Sequence, residues 1–132
     1  MSKRAQHSGS CLCGSVQYTL FGDLRPSVAC HCSMCRKTSG HYWSATQVED
    51  QNLLLTRSDT LRWFRSSDWA ERGFCGQCGS SLFWRMDGEG MTSIASGTLD
   101  LPTGLTTQKH ICVADKGDYY AIEAGPEQLE KW

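Results

Sequence analysis

Apolar and polar residues alternate along much of this sequence, with the period of two that half-buried β-strands show. Val16, Tyr18 and Leu20 alternate with Gln17 and Thr19, which predicts a strand over residues 16–20. Similar patterns predict short strands over residues 27–30, 43–47, 53–56, 61–65, 81–85, 91–95 and 110–114. The fold is therefore predicted to be mainly β.

Helix signals are sparse in this chain. A short helix is predicted over residues 33–38, with Ser33 as its N-cap and its end near Gly40. A second is predicted over residues 126–131, because proline is favourable at an early helical position. Residues 1–8 are polar and are expected to be flexible. Residues 9–132 are expected to form a single domain with little helix, since this length suffices for one core.

Charge and hydropathy exclude several classes of partner. Lys and Arg total 13 and Asp and Glu total 14, so no broad basic surface for nucleic acid is expected. No apolar signal segment opens the chain, and apolar runs such as residues 53–55 are too short to span a membrane. A cytoplasmic location is therefore the default expectation. In a reducing compartment, the eight cysteines are expected to be metal ligands or catalytic thiols rather than disulfides.

Four of these cysteines have the spacing of a closed zinc site. Cys75 and Cys78 form a CxxC knuckle, and Cys11 and Cys13 form a second two-sulfur hook. Both pairs are followed by glycine, which permits the tight backbone that such turns need. Four thiolates complete a tetrahedral zinc site and leave no position for a substrate, so this site is expected to support folding.

Three more cysteines, Cys30, Cys32 and Cys35, form an open set. Three thiolates leave one zinc position free for water or for a substrate such as an exogenous thiolate. His31 could supply a fourth ligand, but in an extended segment it points away from its neighbours. It is therefore expected to flank the pocket or face solvent.

Several residues near the open set are candidates for supporting roles. Arg36 and Lys37 could pair with carboxylates of an anionic substrate, or could simply form a solvated basic turn. Tyr42 and Trp43 could wall a pocket, with core packing the favoured role for Trp43. Cys112 is expected to be buried in a strand of the core. By residue type alone, the candidates for a general acid are His110 and Asp100.

The order of motifs along the chain resembles a known family. The motifs are GSCLCG at 9–14, CHCSMCRKTSG at 30–40, RGFCGQCG at 72–79, GTLD at 97–100 and HICV at 110–113. Together they resemble the glutathione-dependent formaldehyde-activating enzyme (GFA) family, which includes the domain of centromere protein V. The resemblance extends from about Gly9 to Tyr120, which is nearly the whole chain.

That resemblance implies a fold, metal sites and a reaction. The fold would be a β-tent of several short, coiled antiparallel sheets, shared with a Rab-binding chaperone and type B methionine sulfoxide reductases. A structural zinc would lie on Cys11, Cys13, Cys75 and Cys78, and a labile catalytic zinc on Cys30, Cys32 and Cys35. The implied reaction is addition of glutathione to formaldehyde to give S-(hydroxymethyl)glutathione, or its reverse, by a carbon–sulfur lyase.

Two other functions are compatible with the same residues. The chain could be a non-catalytic zinc module that binds a protein partner, since a shared fold does not establish a shared function. It could also be a thiol redox protein in which a disulfide forms among Cys30, Cys32 and Cys35. The physiological thiol and aldehyde and the oligomeric state are left open by the sequence.

Overall fold

The computed structural model of the protein describes residues 5–132, which contain eleven β-strands, one short α-helix and three short 3-10 helices. In chain order the strands and the α-helix are β1 (Gln6–Ser10), β2 (Val16–Phe21), β3 (Ser27–Cys30), α1 (Ser33–Ser39), β4 (Trp43–Glu49), β5 (Leu53–Ser58), β6 (Leu61–Arg65), β7 (Ala70–Cys75), β8 (Ser81–Met86), β9 (Met91–Ala95), β10 (Thr107–Ile111) and β11 (Glu127–Gln128). Within this range, no helix is both long and apolar enough to cross a membrane.

The strands form two sheets. The smaller has the order β1-β2-β5, and the larger has the order β11-β10-β3-β4-β9-β8-β7-β6. Most neighbours are antiparallel, as expected, but β10 runs parallel to both β3 and β11. Parallel pairing needs a long connection, and most of the chain lies between β3 and β10. The mainly β fold is confirmed, and its sheets are antiparallel except where β10 pairs with β3 and β11.

The main core lies between the two sheets. Val16, Tyr18 and Leu20 of β2 are fully buried, as their alternation predicts. Tyr18 meets Phe83 of β8 edge to face, with ring centroids 5.6 Å apart. Burying such side chains contributes about 1.5–3 kcal/mol each, so β2 and β8 supply a large part of the attraction between the sheets.

The predicted helix is present, but its N-cap differs from the expected one. The cap of α1 is Cys32, whose sulfur accepts a hydrogen bond from the Cys35 N–H at 3.3 Å. Ser33 is instead the first helical residue. The helix ends at Gly40, which has a left-handed φ of 85° and donates to the Arg36 carbonyl. The cysteine motif therefore forms the start of the helix.

Both chain ends differ from their predicted structure. Residues 6–8 belong to β1, so the expected flexibility of residues 1–8 is wrong for them, and residues 1–4 lie outside the described range. The helix over residues 126–131 is also wrong. The Leu129 N–H bonds the His110 carbonyl at 2.9 Å, and the Val113 N–H bonds the Leu129 carbonyl at 3.0 Å. Pairing with β10 therefore replaces helical hydrogen bonds.

The β1–β2 sheet depends on one glycine. A Cβ at Gly9 would lie 2.3 Å from the Tyr18 hydroxyl oxygen and 2.5 Å from the Thr98 carbonyl oxygen. That hydroxyl also pairs with Thr98 Oγ1 at 2.7 Å, and burial raises the pKa of Tyr18 to about 12. The space above Gly9 is therefore filled by a fixed, hydrogen-bonded tyrosine.

We predict that Gly9→Ala lowers the free energy of unfolding by about 1–3 kcal/mol, because overpacking forces the backbone or Tyr18 to move. Gly97→Ala is the matched control, since a Cβ there meets no atom within 4 Å. Urea unfolding of both variants measures the difference. Equal stability of the two variants would contradict the packing described here.

Candidate functional site

The closed cysteine set comes together where two hairpin turns meet. Cys11 and Cys13 lie in the β1–β2 turn, and Cys75 and Cys78 flank the β7–β8 turn. All four sulfurs lie within 4.8 Å of one another. The β1–β2 hairpin belongs to the small sheet and the β7–β8 hairpin to the large one. The set therefore joins the two sheets.

The sulfur spacing fits a tetrahedral zinc ion. A Zn–S bond of about 2.3 Å implies sulfur–sulfur edges of about 3.8 Å in a tetrahedron. The Sγ atoms of Cys11 and Cys13, and those of Cys13 and Cys75, are both 3.7 Å apart. These residues are therefore suited to hold Zn²⁺.

Polar groups around the closed set favour thiolates. Hydrogen bonds with the Ser80 side chain and backbone lower the pKa of Cys78 to about 5. A hydrogen bond with Thr60 is the main cause of the lowered pKa of Cys75. Burial instead raises the pKa of Cys11. A bound metal ion would favour the thiolate form of the whole set.

The open cysteine set lies where β3 runs into α1. Cys30 is the last residue of β3, Cys32 caps α1, and Cys35 lies in its first turn. Their sulfurs lie within 4.8 Å of one another, which is compatible with a shared ion. Hydrogen bonds from Cys30 and Cys35 lower the pKa of Cys32. The same contacts raise the pKa values of Cys30 and Cys35, so hydrogen bonding within the set favours one thiolate and opposes further ionisation.

A cavity of about 530 Å³ opens over these three cysteines. Its wall contains Cys30, Cys32 and Cys35 together with four tryptophans, Trp43, Trp69, Trp84 and Trp132. Of these, Trp43 is buried among core residues as well as lining the cavity, so both roles proposed for it hold. Tyr42 is not on this wall. The cavity gives a small molecule access to the open set.

A buried arginine contacts the open set from β7. The Arg72 Nη2 donates to the Cys35 Sγ at 3.3 Å, and the residue is only 6% exposed. Its Nε and Nη1 atoms are buried without a hydrogen-bond partner among the described residues. Burying an unpaired cation is costly, so a compensating negative charge is expected beside it. Arg72 was missed from the sequence because it lies 37 residues from Cys35.

Arg36 and Lys37, predicted to contact substrate carboxylates, are not on the cavity wall. Lys37 is exposed on α1. Arg36 lies near Tyr120, where its charge opposes the burial that raises the pKa of that tyrosine. The basic residues on the wall are Arg25, Arg72 and Lys131. A role for Arg36 and Lys37 in binding substrate stays a prediction, without support from this arrangement.

His31 does not face solvent. It is fully buried, with its Nδ1 2.6 Å from the Tyr120 hydroxyl and its Nε2 2.8 Å from His110 Nδ1. Burial, reinforced by the neighbouring His110, lowers the pKa of His31 to about 4. His110 in turn lies 3.4 Å from a Glu123 carboxylate oxygen. These contacts place a neutral His31 in a hydrogen-bonded network and not on the wall of the cavity.

Two other sequence candidates have different surroundings from those expected. Asp100 accepts a hydrogen bond from Ser8 Oγ at 2.7 Å in an exposed position, away from the cavity. Cys112 was expected to be buried in a strand, which is wrong. It follows β10 with a left-handed φ of 57° and lines the cavity. Burial raises the pKa of its thiol, and a contact with Cys30 opposes that shift.

Comparison of the sequence with known proteins identifies the family of this chain. The sequence profile described as glutathione-dependent formaldehyde-activating enzyme (GFA) matches residues 6–115. This chain belongs to the GFA family. Both cysteine sets lie within the matched range, so the resemblance of the motifs is confirmed. The GFA match also includes β7 with Arg72 and the buried His31.

Individual GFA relatives cover much of the same sequence. A protein of Schizosaccharomyces pombe named as an uncharacterized lyase is 25% identical over 116 residues, which is 87% of this chain and 84% of that protein. A Talaromyces marneffei protein named for glutathione-dependent formaldehyde activation is 32% identical over 81 residues, which is 60% of this chain and 43% of that protein. These names support a lyase-type enzyme of the GFA family.

A solved structure supports the fold. The crystal structure of a Rhodobacter sphaeroides protein aligns with a TM-score of 0.58 and 19% identity, covering 92% of this chain and 98% of that one. At this identity the likeness concerns the fold alone. The likeness in fold therefore extends over most of the chain.

The two metal-binding sets should differ in their effect on stability. The closed set links Cys13 to Cys75 across 62 residues, whereas the open set spans residues 30–35. Closing the longer loop in the unfolded chain costs about 2 kcal/mol more in free energy than closing the shorter one, because the loss of conformational entropy grows with loop length. We therefore predict that Cys78→Ser lowers the melting temperature more than Cys32→Ser does.

Metal analysis of the same two variants provides the check. Each is expected to lose about one zinc of the two that the sets can hold. Calorimetry with metal analysis on each variant measures both effects together. A larger loss of stability in Cys32→Ser would contradict the structural assignment of the closed set.

Proposed function

We propose that this protein is a zinc-dependent carbon–sulfur lyase that adds a thiol such as glutathione to a small aldehyde such as formaldehyde, or catalyses the reverse. The observation that carries the proposal is the set of three cysteines at the wall of a cavity, beside a buried arginine. Membership of the GFA family and the names of its relatives agree with this reaction. The zinc would be held by Cys30, Cys32 and Cys35.

The chemistry requires little acid–base machinery from the protein. Zinc at a three-sulfur site would supply a soft Lewis acid that keeps an incoming thiol deprotonated at neutral pH. In the forward direction the thiol releases its proton to water, the thiolate sulfur bonds to the aldehyde carbon as the carbonyl π bond opens, and the resulting alkoxide oxygen takes a proton back from water. The reverse breaks the same C–S bond and returns the proton. Holding the two reactants together in the cavity would supply much of the rate.

Arg72 has an electrostatic role in this proposal. Three thiolates and one Zn²⁺ carry a net charge of about −1, and a bound thiolate would make it about −2. In a cavity of low polarity, that second charge is unfavourable unless a cation is near. The Arg72 guanidinium, at hydrogen-bond distance from Cys35, is placed to compensate it. Arg72 would therefore favour an anionic ligand over a neutral one.

Cys32→Ser tests the proposed reaction. We predict loss of nearly all zinc-dependent adduct formation, because the site would keep only two of its three sulfurs. Ser33→Ala is the matched control, since Ser33 is exposed on the same helix and does not line the cavity. Adduct formation can be followed by the decrease of free thiol with glutathione and formaldehyde. A rate of adduct formation in Cys32→Ser equal to that of the wild type would contradict the proposed reaction.

Substituting Arg72 tests its role in choosing the ligand. In cobalt-substituted protein we predict that Arg72→Met weakens thiol binding about tenfold, with imidazole binding changed less than about twofold. Arg72→Lys should restore part of the loss because it restores the charge. Arg85→Met is the control, since Arg85 lies over Trp63, with its Nε bound to Thr92.

The visible absorption of cobalt reports binding of each ligand directly. A structural role for Arg72 predicts a different result, in which thiol and imidazole binding weaken by equal factors. That result would contradict a role for Arg72 in selecting the ligand, and it would not affect the proposed three-sulfur metal site.

The other functions make distinct predictions for the same preparations. A thiol redox protein would consume a reductant and an oxidant, whereas adduct formation is redox-neutral. A non-catalytic zinc module would show no change in the cobalt spectrum on addition of thiol, because its second site would already be saturated. The first result would contradict the proposed function in favour of a thiol redox protein, and the second would contradict it in favour of a non-catalytic zinc module.

A further inference from the structure

The wall of the cavity is more aromatic than addition to formaldehyde requires. Formaldehyde has one carbon and occupies about as much space as one or two water molecules, each of which takes about 30 Å³ in the liquid. The cavity has a volume of about 530 Å³. Most of this space must therefore be filled by another part of the reactants or by water.

Two of the four tryptophans belong to the same apolar cluster as the three cysteines. Trp43 packs in one apolar cluster with Cys35, and Trp84 packs against the same cluster together with Cys30 and Cys32. The group bound next to the three sulfurs would thus meet indole rings. Such surfaces bind aromatic and apolar groups and offer few hydrogen bonds to a polar one.

The tryptophan surface continues outward from this position. The Trp69 ring meets Trp84 edge to face at 6.0 Å, and it stacks on Trp132 at 5.7 Å with an interplanar angle of 8°. Trp69 is nevertheless 46% exposed and lines the cavity. A partly exposed aromatic stack at the mouth of a cavity is a favourable surface for an apolar ligand.

Apart from the cysteines, the charged side chains on the wall are equal in number for the two signs, so they do not select a charged aldehyde. The three cations are Arg25, Arg72 and Lys131, and the three anions are Glu89, Asp115 and Glu130. The Arg25 guanidinium is already engaged, with Nη2 donating to the Ala45 carbonyl at 2.9 Å. The ionic charges on the wall thus balance, and its apolar surface is left as the main source of affinity.

We infer that the carbonyl substrate of this site carries an aromatic ring, and that the site prefers an aromatic aldehyde to formaldehyde. This inference rests on the proposed function, since it names the substrate class of the same reaction. The thiol releases its proton to water, its sulfur bonds to the carbonyl carbon of an aromatic aldehyde as the carbonyl π bond opens, and the alkoxide oxygen takes a proton back from water. The ring is held against Trp69 and Trp84.

The test compares rate enhancements, because aldehydes differ in intrinsic reactivity. For formaldehyde, benzaldehyde and 2-naphthaldehyde with glutathione, kcat/KM of the zinc-loaded protein is divided by the uncatalysed rate constant of the same pair. We expect the ratio to rise at least about tenfold from formaldehyde to the aromatic aldehydes, given the apolar area that a ring would bury. An equal or higher ratio for formaldehyde would overturn the inference.

Variants of Trp69 connect this result to the cavity wall. Trp69→Ala is expected to lower the ratio for 2-naphthaldehyde about tenfold and to change that for formaldehyde less than about twofold. Trp69→Phe should recover most of the loss, since it restores a ring. Phe64→Ala is the control, because Phe64 is 61% exposed and lies outside the cavity. A similar loss for both aldehydes in Trp69→Ala would contradict a role in choosing the substrate.

A binding measurement separates this inference from the proposed reaction. Calorimetry with 2-naphthalenemethanol, which has the ring but no carbonyl, reports the aromatic site without turnover. If no aldehyde reacts, the proposed function fails. Binding of the alcohol that is lost in Trp69→Ala would then still support the aromatic site, and absence of binding to the wild type would overturn it.

Discussion

The four-sulfur set of Cys11, Cys13, Cys75 and Cys78 is the constraint on which the arrangement of the molecule depends. It fastens the turn between β1 and β2 to the turn between β7 and β8, and so joins the small sheet to the large one. The Tyr18–Phe83 contact adds apolar attraction across the same boundary. The four sulfurs are close enough to share one metal ion, so binding of an ion there would be coupled to the docking of the sheets.

The same constraint reaches the open site through β7. This strand ends at Cys75 of the closed set and carries Arg72 three residues earlier. Arg72 contacts Cys35, so β7 connects the two cysteine sets directly. Fixing Cys75 therefore also fixes the position of the buried guanidinium. The closed set would thus influence the chemistry of the open set through placement of a charge, without contributing a ligand to it.

Much of this arrangement could be predicted from residue spacing. The alternation in β2, the bounds of β3, β6 and β9, and the open cysteine set follow from local sequence, because each depends on residues close together in the chain. The closed set joins two local pairs that lie 62 residues apart, and their joining was predicted from the four ligands that a structural zinc needs. The strand β7 was missed because its sequence, AERGFC, does not alternate cleanly. β1 was missed because its polar sequence, QHSGS, is held by backbone pairing with β2.

Contacts between distant residues account for the other differences. Burial of His31 depends on Tyr120 and His110, which lie about 80 to 90 residues further along the chain. The aromatic wall combines residues from β4, β8 and two segments outside the strands. The apolar segment at residues 111–113 predicted a longer strand, but the left-handed backbone at Cys112 ends it. Such features need the folded chain and have no local signal.

The proposed function requires that the metal ion on the closed cysteine set has four protein sulfurs and that the ion on the open set binds a fourth ligand from outside the protein. X-ray absorption at the zinc edge tests it most directly, because it counts the sulfur atoms around the metal. For fully loaded protein we expect an average of about 3.5 sulfurs per zinc without thiol, from four and three ligands, and about 4 with a saturating thiol. An average number of sulfurs that does not change on addition of thiol would show that the three-cysteine site does not bind the thiol, and would contradict the proposed function.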